Sequence, residues 1–213
     1  MEIRDTEVWG FKKAIKGARN PLDSWDQSDS TFTKDEVIIG PKDMNLLQRL
    51  IKGGGEHRKF MRMIHVQADF DMPRYWWSEM DTYKFNTKNS RSTMHKLLNN
   101  DNPITVDLFV YCEEDLDVAK AVAERLEMLR IAYKDKDATK EEKKRYLVRA
   151  KRLLSEGFLQ MRTVDTNYEE LRNIYFQRKN HRLKEEWQDV FCKWVESLPY
   201  AQELILYTGE ATE

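Results

Sequence analysis

Apolar positions along the chain fall into short alternating runs and longer stripes with a helical period. Residues 2 to 11 (EIRDTEVWGF) alternate loosely, as a short strand does, and residues 17 to 30 (GARNPLDSWDQSDS) carry a density of turn formers. Residues 1 to 40 therefore read as short strands and loops, with DEVIIG (35 to 40) a strand or strand end. A helix follows over MNLLQRLIKGG. Leu46, Leu47, Leu50 and Ile51 share one face, Asp43 is expected to cap its start, and Gly53 to Gly55 stop it.

KFMRMIHVQADFD (59 to 71) has the period of a strand, with Ile64, Val66, Ala68 and Phe70 on one face. The other face holds Met61, Met63, His65 and Gln67, polar enough to look into a site. Pro73 suits the first turn of a further helix, in which Trp76, Met80 and Tyr83 make a core stripe. Arg74, Trp77, Ser78, Asp81 and Lys84 lie on its other side. A polar loop (86 to 92) and a short helix in MHKLLNN come next. Residues 114 to 156 read as a helical hairpin. Its stripes are Val118, Val122, Leu126 and Leu129, then Tyr146, Leu147, Ala150 and Leu154, joined through a charged, solvated turn.

QMRTVDT is extended. Asp165 or Thr166 is expected to cap the helix NYEELRNIYFQRKN, and KEEWQDVFCKWVESL is a last amphipathic helix with Trp187, Val190, Phe191, Trp194 and Val195 on one face. Strands mixed with long helices, without repeats or a linker, predict one α+β domain over residues 1 to 213 with a mixed or antiparallel sheet.

Charge adds exclusions. With 36 basic and 37 acidic residues the net charge is −1, which argues against non-specific binding to nucleic acid or to an anionic membrane. Apolar runs are too short to span a bilayer, and the first residues lack an apolar leader, so a cytoplasmic protein is expected. Cys112 and Cys192 form no redox or metal motif, and the four histidines have no ligand spacing, so no metal site is expected.

Candidate chemistry concentrates in residues 72 to 95 (MPRYWWSEMDTYKFNTKNSRSTMH). Two tryptophans and two tyrosines stand among Arg74, Lys84, Arg91 and several hydroxyls. Aromatic faces stack a ring and the cations hold a phosphate, so a planar anionic ligand fits. A core helix followed by a solvated Ser/Thr loop fits the same residue types. In 167 to 178 the stripe Asn167, Leu171, Ile174 ends on Arg178, an enclosed cation needing an anion or a carboxylate partner.

Two motifs resemble those of the flavin-dependent thymidylate synthases. Asn167, Leu171, Asn173 and Arg178 keep the spacing of that family's C-terminal helix motif. Thr82-Tyr83-Lys84, seven residues, then Ser92 keep the spacing of its R-H-R-x7-S motif. The resemblance covers about 43 to 100 and 150 to 196. It implies an FAD-dependent enzyme that uses NADPH and methylenetetrahydrofolate to transfer a one-carbon group to dUMP, or to dCMP in a variant, as a homotetramer.

Residue by residue, the resemblance implies that Arg178 polarises the pyrimidine ring. Glu79, Lys84, Ser90, Arg91, Ser92 and Lys151 would hold the nucleotide, and His57, Tyr83, Asn167 and Asn173 the flavin. The sequence departs from the family where Thr82 and Met94 stand for arginines and Glu169 for a flavin-side arginine. Those departures keep two other readings open: a nucleotide-binding protein of the same fold without turnover, and a structural or interaction protein.

Overall fold

The computed structural model describes residues 1–34 and 36–209. In chain order the elements are β1 (Glu2–Trp9), α1 (Phe11–Arg19), β2 (Thr31–Phe32), β3 (Val37–Ile38), α2 (Pro41–Lys52), β4 (His65–Pro73), α3 (Arg74–Met80), β5 (Thr87–Ser90), α4 (Thr93–Lys96), α5 (Leu116–Lys134), α6 (Lys140–Leu153), β6 (Leu159–Asn167), α7 (Tyr168–Arg178) and α8 (Lys193–Glu196). A 3-10 segment (Arg58–Met63) leads into β4, and wide π-helical turns occupy Glu185–Cys192 and Ala201–Ile205. The class is α+β, as expected. Strand order in the main sheet is β1-β4-β6-β5, and β2 and β3 form a separate antiparallel ribbon pairing Thr31 with Ile38.

Two compact units are interleaved along the chain. The first comprises residues 1–2, 70–82 and 89–163; the second comprises 3–69, 83–88 and 164–213. In the first unit the α5–α6 hairpin encloses an apolar cluster of Leu97, Leu98, Ile104, Phe109, Ala123, Leu126, Leu129, Ala150 and Leu154. Leu126 and Leu129 are buried as expected, but Val118 is 58% exposed, because the buried arc of α5 continues through Ala123 and not through Val118. A capping box at Thr139 and Glu142 starts α6.

Trp76 and Met80 are buried as the period of α3 predicts, and so is Trp77, which the pattern placed on the polar side. The indole N–H of Trp77 donates to the carbonyls of Met72 (3.1 Å) and Gln160 (2.8 Å), so its polar atom is satisfied and the ring can be enclosed. The first α3 amides donate to the segment before β6, Arg74 N to Phe158 O and Tyr75 N to Glu156 O, each at 3.1 Å. Gly157 has to be glycine here, since a Cβ would collide with the Val110 carbonyl.

The second unit packs Phe11 edge-on against Tyr168 and Tyr200, with Trp187, Phe191 and Trp194 in succession. The stretch 11 to 19, expected as strand and loop, is the helix α1. Phe11, Ala14 and Ile15 at i, i+3, i+4 bury one face, and Gly10 enters at positive φ.

Asp43 does not cap α2. It is buried in the helix's first turn, accepting from Arg19 Nε (2.6 Å), Ser28 Oγ (2.6 Å) and Ser30 Oγ (2.6 Å). Asp29 is the residue that accepts from the first α2 amides. Burial raises the Asp43 carboxyl, but those three hydrogen bonds outweigh it and hold the group below the usual carboxylate value. Likewise Asn167, not Asp165 or Thr166, caps α7, its side-chain oxygen accepting from Glu170 N at 3.0 Å. The alternating face of β4 is as expected, with Val66, Ala68 and Phe70 buried. Met61 is buried too, because residues 58 to 63 are 3-10 and not strand. The expected strand at 35 to 40 reduces to β3, and Asp35 lies outside the described residues.

Candidate functional site

The first unit holds a cavity of about 170 Å3 between the β5–α4 turn and the start of β6. Ser92 ends the turn as the α4 N-cap, accepting from His95 N at 3.3 Å, and this sets Arg91, Ser92, Thr93 and Lys96 along the rim. Arg91 is pinned through its backbone, its N–H donating to Met161 O (2.9 Å) and its carbonyl accepting from Gln160 Nε2 (3.1 Å). Asp71, Asn100, Asn102 and Gln160 add polar groups, and Leu97, Ile104, Leu108 and Phe158 give an apolar wall. Cations and hydroxyls on one side and an apolar wall on the other suit a small ring carrying an anionic group.

Lys151 does not line the cavity but is bonded to Thr93, which does. Its Nζ donates to Thr93 Oγ1 at 2.5 Å, and burial, followed by the nearby Arg74 charge, lowers its pKa from the ordinary lysine value. Arg74 is tied on its other side to Glu156 at 3.2 Å. Two cations held close against their repulsion favour an added anion. Glu79, on α3, and exposed Ser90 also belong to this unit and do not line the cavity.

In the second unit Arg178 closes α7. Its Nε donates to the Tyr83 hydroxyl at 2.8 Å, and its guanidinium stacks 4.5 Å from the Trp187 ring centroid and 5.4 Å from that of Tyr83. The Tyr83 hydroxyl donates in turn to Gln177 Oε1 (3.1 Å), and Gln177 Nε2 donates to Asn173 Oδ1 (2.8 Å). Lys84 is exposed beside this network. Glu169 faces Arg58, whose Nε reaches both carboxylate oxygens at 3.0 and 2.9 Å.

His57 lines a separate cleft of about 560 Å3 with Asn20, Leu50, Lys59, Phe60 and Met63. That cleft contains none of Tyr83, Asn167 or Asn173. Tyr83 is buried, the Asn167 oxygen is a helix cap, and Asn173 is bonded to Gln177. Tyr83 and Asn173 meet through Gln177, whereas His57 lies at its own cleft and Asn167 at the start of α7.

No family model matches the chain, and no curated protein matches it significantly. Solved structures do. The flavin-dependent thymidylate synthase ThyX from Helicobacter pylori, complexed with FAD and dUMP, superposes with a TM-score of 0.70, covering 96% of this chain and 98% of its own at 16% identity. A second structure of thymidylate synthase X (ThyX) from Helicobacter pylori, with FAD and dUMP, gives 0.72 over 99% and 100% at 15% identity. This chain has the ThyX fold. At such identity the likeness is one of fold.

Within the ThyX fold the chain gathers Arg91, Ser92 and the neighbouring Lys151–Thr93 pair at one unit's cavity, and Arg178, Tyr83 and Asn173 in the other unit. Thr93, Lys96 and Gln160 escaped the sequence reading. Thr93 and Lys96 look like ordinary surface positions after a hydroxyl-rich loop, and Gln160 is brought to them only by the pairing of the start of β6 with the β5–α4 turn, 69 residues away from Arg91. Trp187 escaped because its place in an apolar stripe hid its second role as the platform for Arg178.

Proposed function

We propose that this chain binds a pyrimidine deoxynucleotide at the Arg91–Ser92 cavity and works as a ThyX-like enzyme that transfers a one-carbon group to it, from dUMP to dTMP or on dCMP. The reading rests on one observation: a ThyX fold over nearly the whole chain carries a cavity rimmed by Arg91, Ser92, Thr93 and Lys96. We read the whole chain as one such domain. Arg91 and Ser92, with Lys151 bonded to Thr93, bind the phosphate end. Lys84, Ser90 and Glu79 as further nucleotide contacts, and Arg178 as the group that stabilises negative charge developing on the ring, are carried over from the family resemblance.

FAD, NADPH and methylenetetrahydrofolate are the co-reactants such a reaction requires. A homotetramer, as the family resemblance implies, is the assembly in which we place the flavin contacts. Purified protein with flavin absorbance, and tighter binding of dUMP or dCMP than of the nucleosides, is the expected result. Colourless protein that takes up no FAD removes the enzyme reading, and absent nucleotide binding removes the cavity's role as well.

A second reading is binding of the nucleotide without turnover. It is favoured by the Arg58–Glu169 pair, which neutralises a cation on the flavin side, and by Arg178 lying already engaged with Tyr83 and Trp187. Rescue of a thymidine auxotroph excludes it.

A further inference from the structure

A cleft of about 340 Å3 in the second unit is lined by none of the candidate nucleotide or flavin residues. Its floor is Ile15 with Arg19, and Arg19 is held by Asp43 at 2.6 Å. Ser28 at its edge is fixed to the same carboxylate at 2.6 Å. Trp25 and Phe32 form its walls, and Lys12, Lys13 and Lys16 its rim.

Three features separate this cleft from an ordinary solvated helix face. Lys12, Lys13 and Lys16 have no carboxylate partner among the described residues, so three ammonium groups on two turns of α1 stand unneutralised. Trp25 is 46% exposed yet fixed, its indole N–H donating to Asn20 Oδ1 at 2.8 Å, so an open aromatic face is held in place. The Lys16 ammonium stands 5.9 Å from the Trp25 ring centroid, which presents ring and charge together.

An aromatic platform rimmed by unpaired cations matches a planar ring that carries a phosphate. The cavity volume is within the range of small-molecule sites, roughly 300–1,000 Å3. We propose that this cleft is a binding site for a nucleoside phosphate, with the base stacked on Trp25 and Phe32 and the phosphate held by Lys12, Lys13 and Lys16. A nucleic-acid strand fits less well, since a net charge of −1 supplies no long-range attraction for a polyanion.

The test uses the full-length chain carrying Arg91→Ala and Lys96→Ala, so that binding at the first unit's cavity is separated from binding here. Calorimetric titration with AMP should still show one saturable site. Lys12→Ala with Lys16→Ala, or Trp25→Ala, should weaken it by about tenfold or more, whereas Trp25→Phe should retain most of the affinity. Adenosine and inorganic phosphate, each lacking half of the ligand, should bind far more weakly than AMP. Circular dichroism checks that the exposed substitutions leave the fold intact. Loss of all AMP binding in the Arg91→Ala, Lys96→Ala background would overturn the proposal, as would AMP binding indifferent to the lysines and to Trp25. Binding of oligo-dT without binding of AMP would overturn it in favour of a strand surface.

Discussion

Arg178 Nε and the Tyr83 hydroxyl are joined at 2.8 Å, and the same hydroxyl donates onward to Gln177. One phenol thus orients the guanidinium and ties it to α7. Stacking on Trp187 at 4.5 Å fixes the plane of that guanidinium, so its direction is set before any ligand arrives.

Tyr83→Phe removes the acceptor from Arg178 and the donor to Gln177 while keeping the buried ring. The expected loss is about 1–2 kcal/mol, the value of a hydrogen bond to a charged group. For a chain of this length that is a fall in Tm of roughly 2–8 °C, read by thermal denaturation. An unchanged Tm would show that Tyr83 does not hold Arg178.

The buried Asp43 network makes a sharper stability prediction. Asp43→Asn keeps the side chain's size but leaves the Arg19 charge buried without its counter-ion, which costs about 3–5 kcal/mol. Because the folded carboxyl titrates below its ordinary 3.8, its stabilisation is complete above that pH and is lost as pH falls from there through the folded value. Urea unfolding from pH 7 to pH 2 should therefore show a drop at the acid end that Asp43→Asn lacks.

Much of this architecture is legible in the apolar period alone. Helices α2, α5, α6 and α7 follow from their stripes, and β4 from the parity of Val66, Ala68 and Phe70. The failures have local causes. In α1 a basic segment between glycines holds only three apolar positions that pack, too few to stand out from a loop. Trp77 sits on the polar side of α3 by period, yet is buried because its N–H meets two carbonyls supplied by strand segments, one of them 83 residues away. The site shows the same limit. Ser92 and Arg91 follow from the loop's composition, whereas the Lys151–Thr93 bond spans 58 residues and depends on the packing of the hairpin.

Lys151 provides a charge test of the nucleotide reading. Lys151→Met should weaken dUMP binding by about 10–100-fold, the loss of one charge-assisted bond, while Lys151→Arg should retain most of it. Burial and Arg74 lower the Lys151 pKa, so wild-type affinity should begin to fall with rising pH before the ordinary lysine value of 10.5 is reached. The Lys151→Arg variant, whose charge persists, should hold its affinity over the same range. Identical pH profiles for the two proteins would remove Lys151 from the phosphate end.

In the proposed flavin reading, Glu169 is the position where the chain's charge departs most directly from what the family resemblance implies. Its carboxylate takes both bonds from Arg58 Nε, and the neighbouring Arg172 is itself depressed by burial and by the Arg58 charge. Glu169→Gln removes the negative charge and leaves Arg58 able to meet a diphosphate. FAD affinity should rise by about tenfold, the gain of one charge-assisted hydrogen bond, measured by quenching of flavin fluorescence. Stability should fall at the same time, because Arg58 and Arg172 then repel without a screen. Adding Arg58→Gln to Glu169→Gln should abolish the gain in FAD binding and relieve that repulsion. Unchanged or weaker FAD binding in Glu169→Gln would mean that the Arg58–Glu169 pair is a structural clamp and that the flavin, if held at all, is held elsewhere.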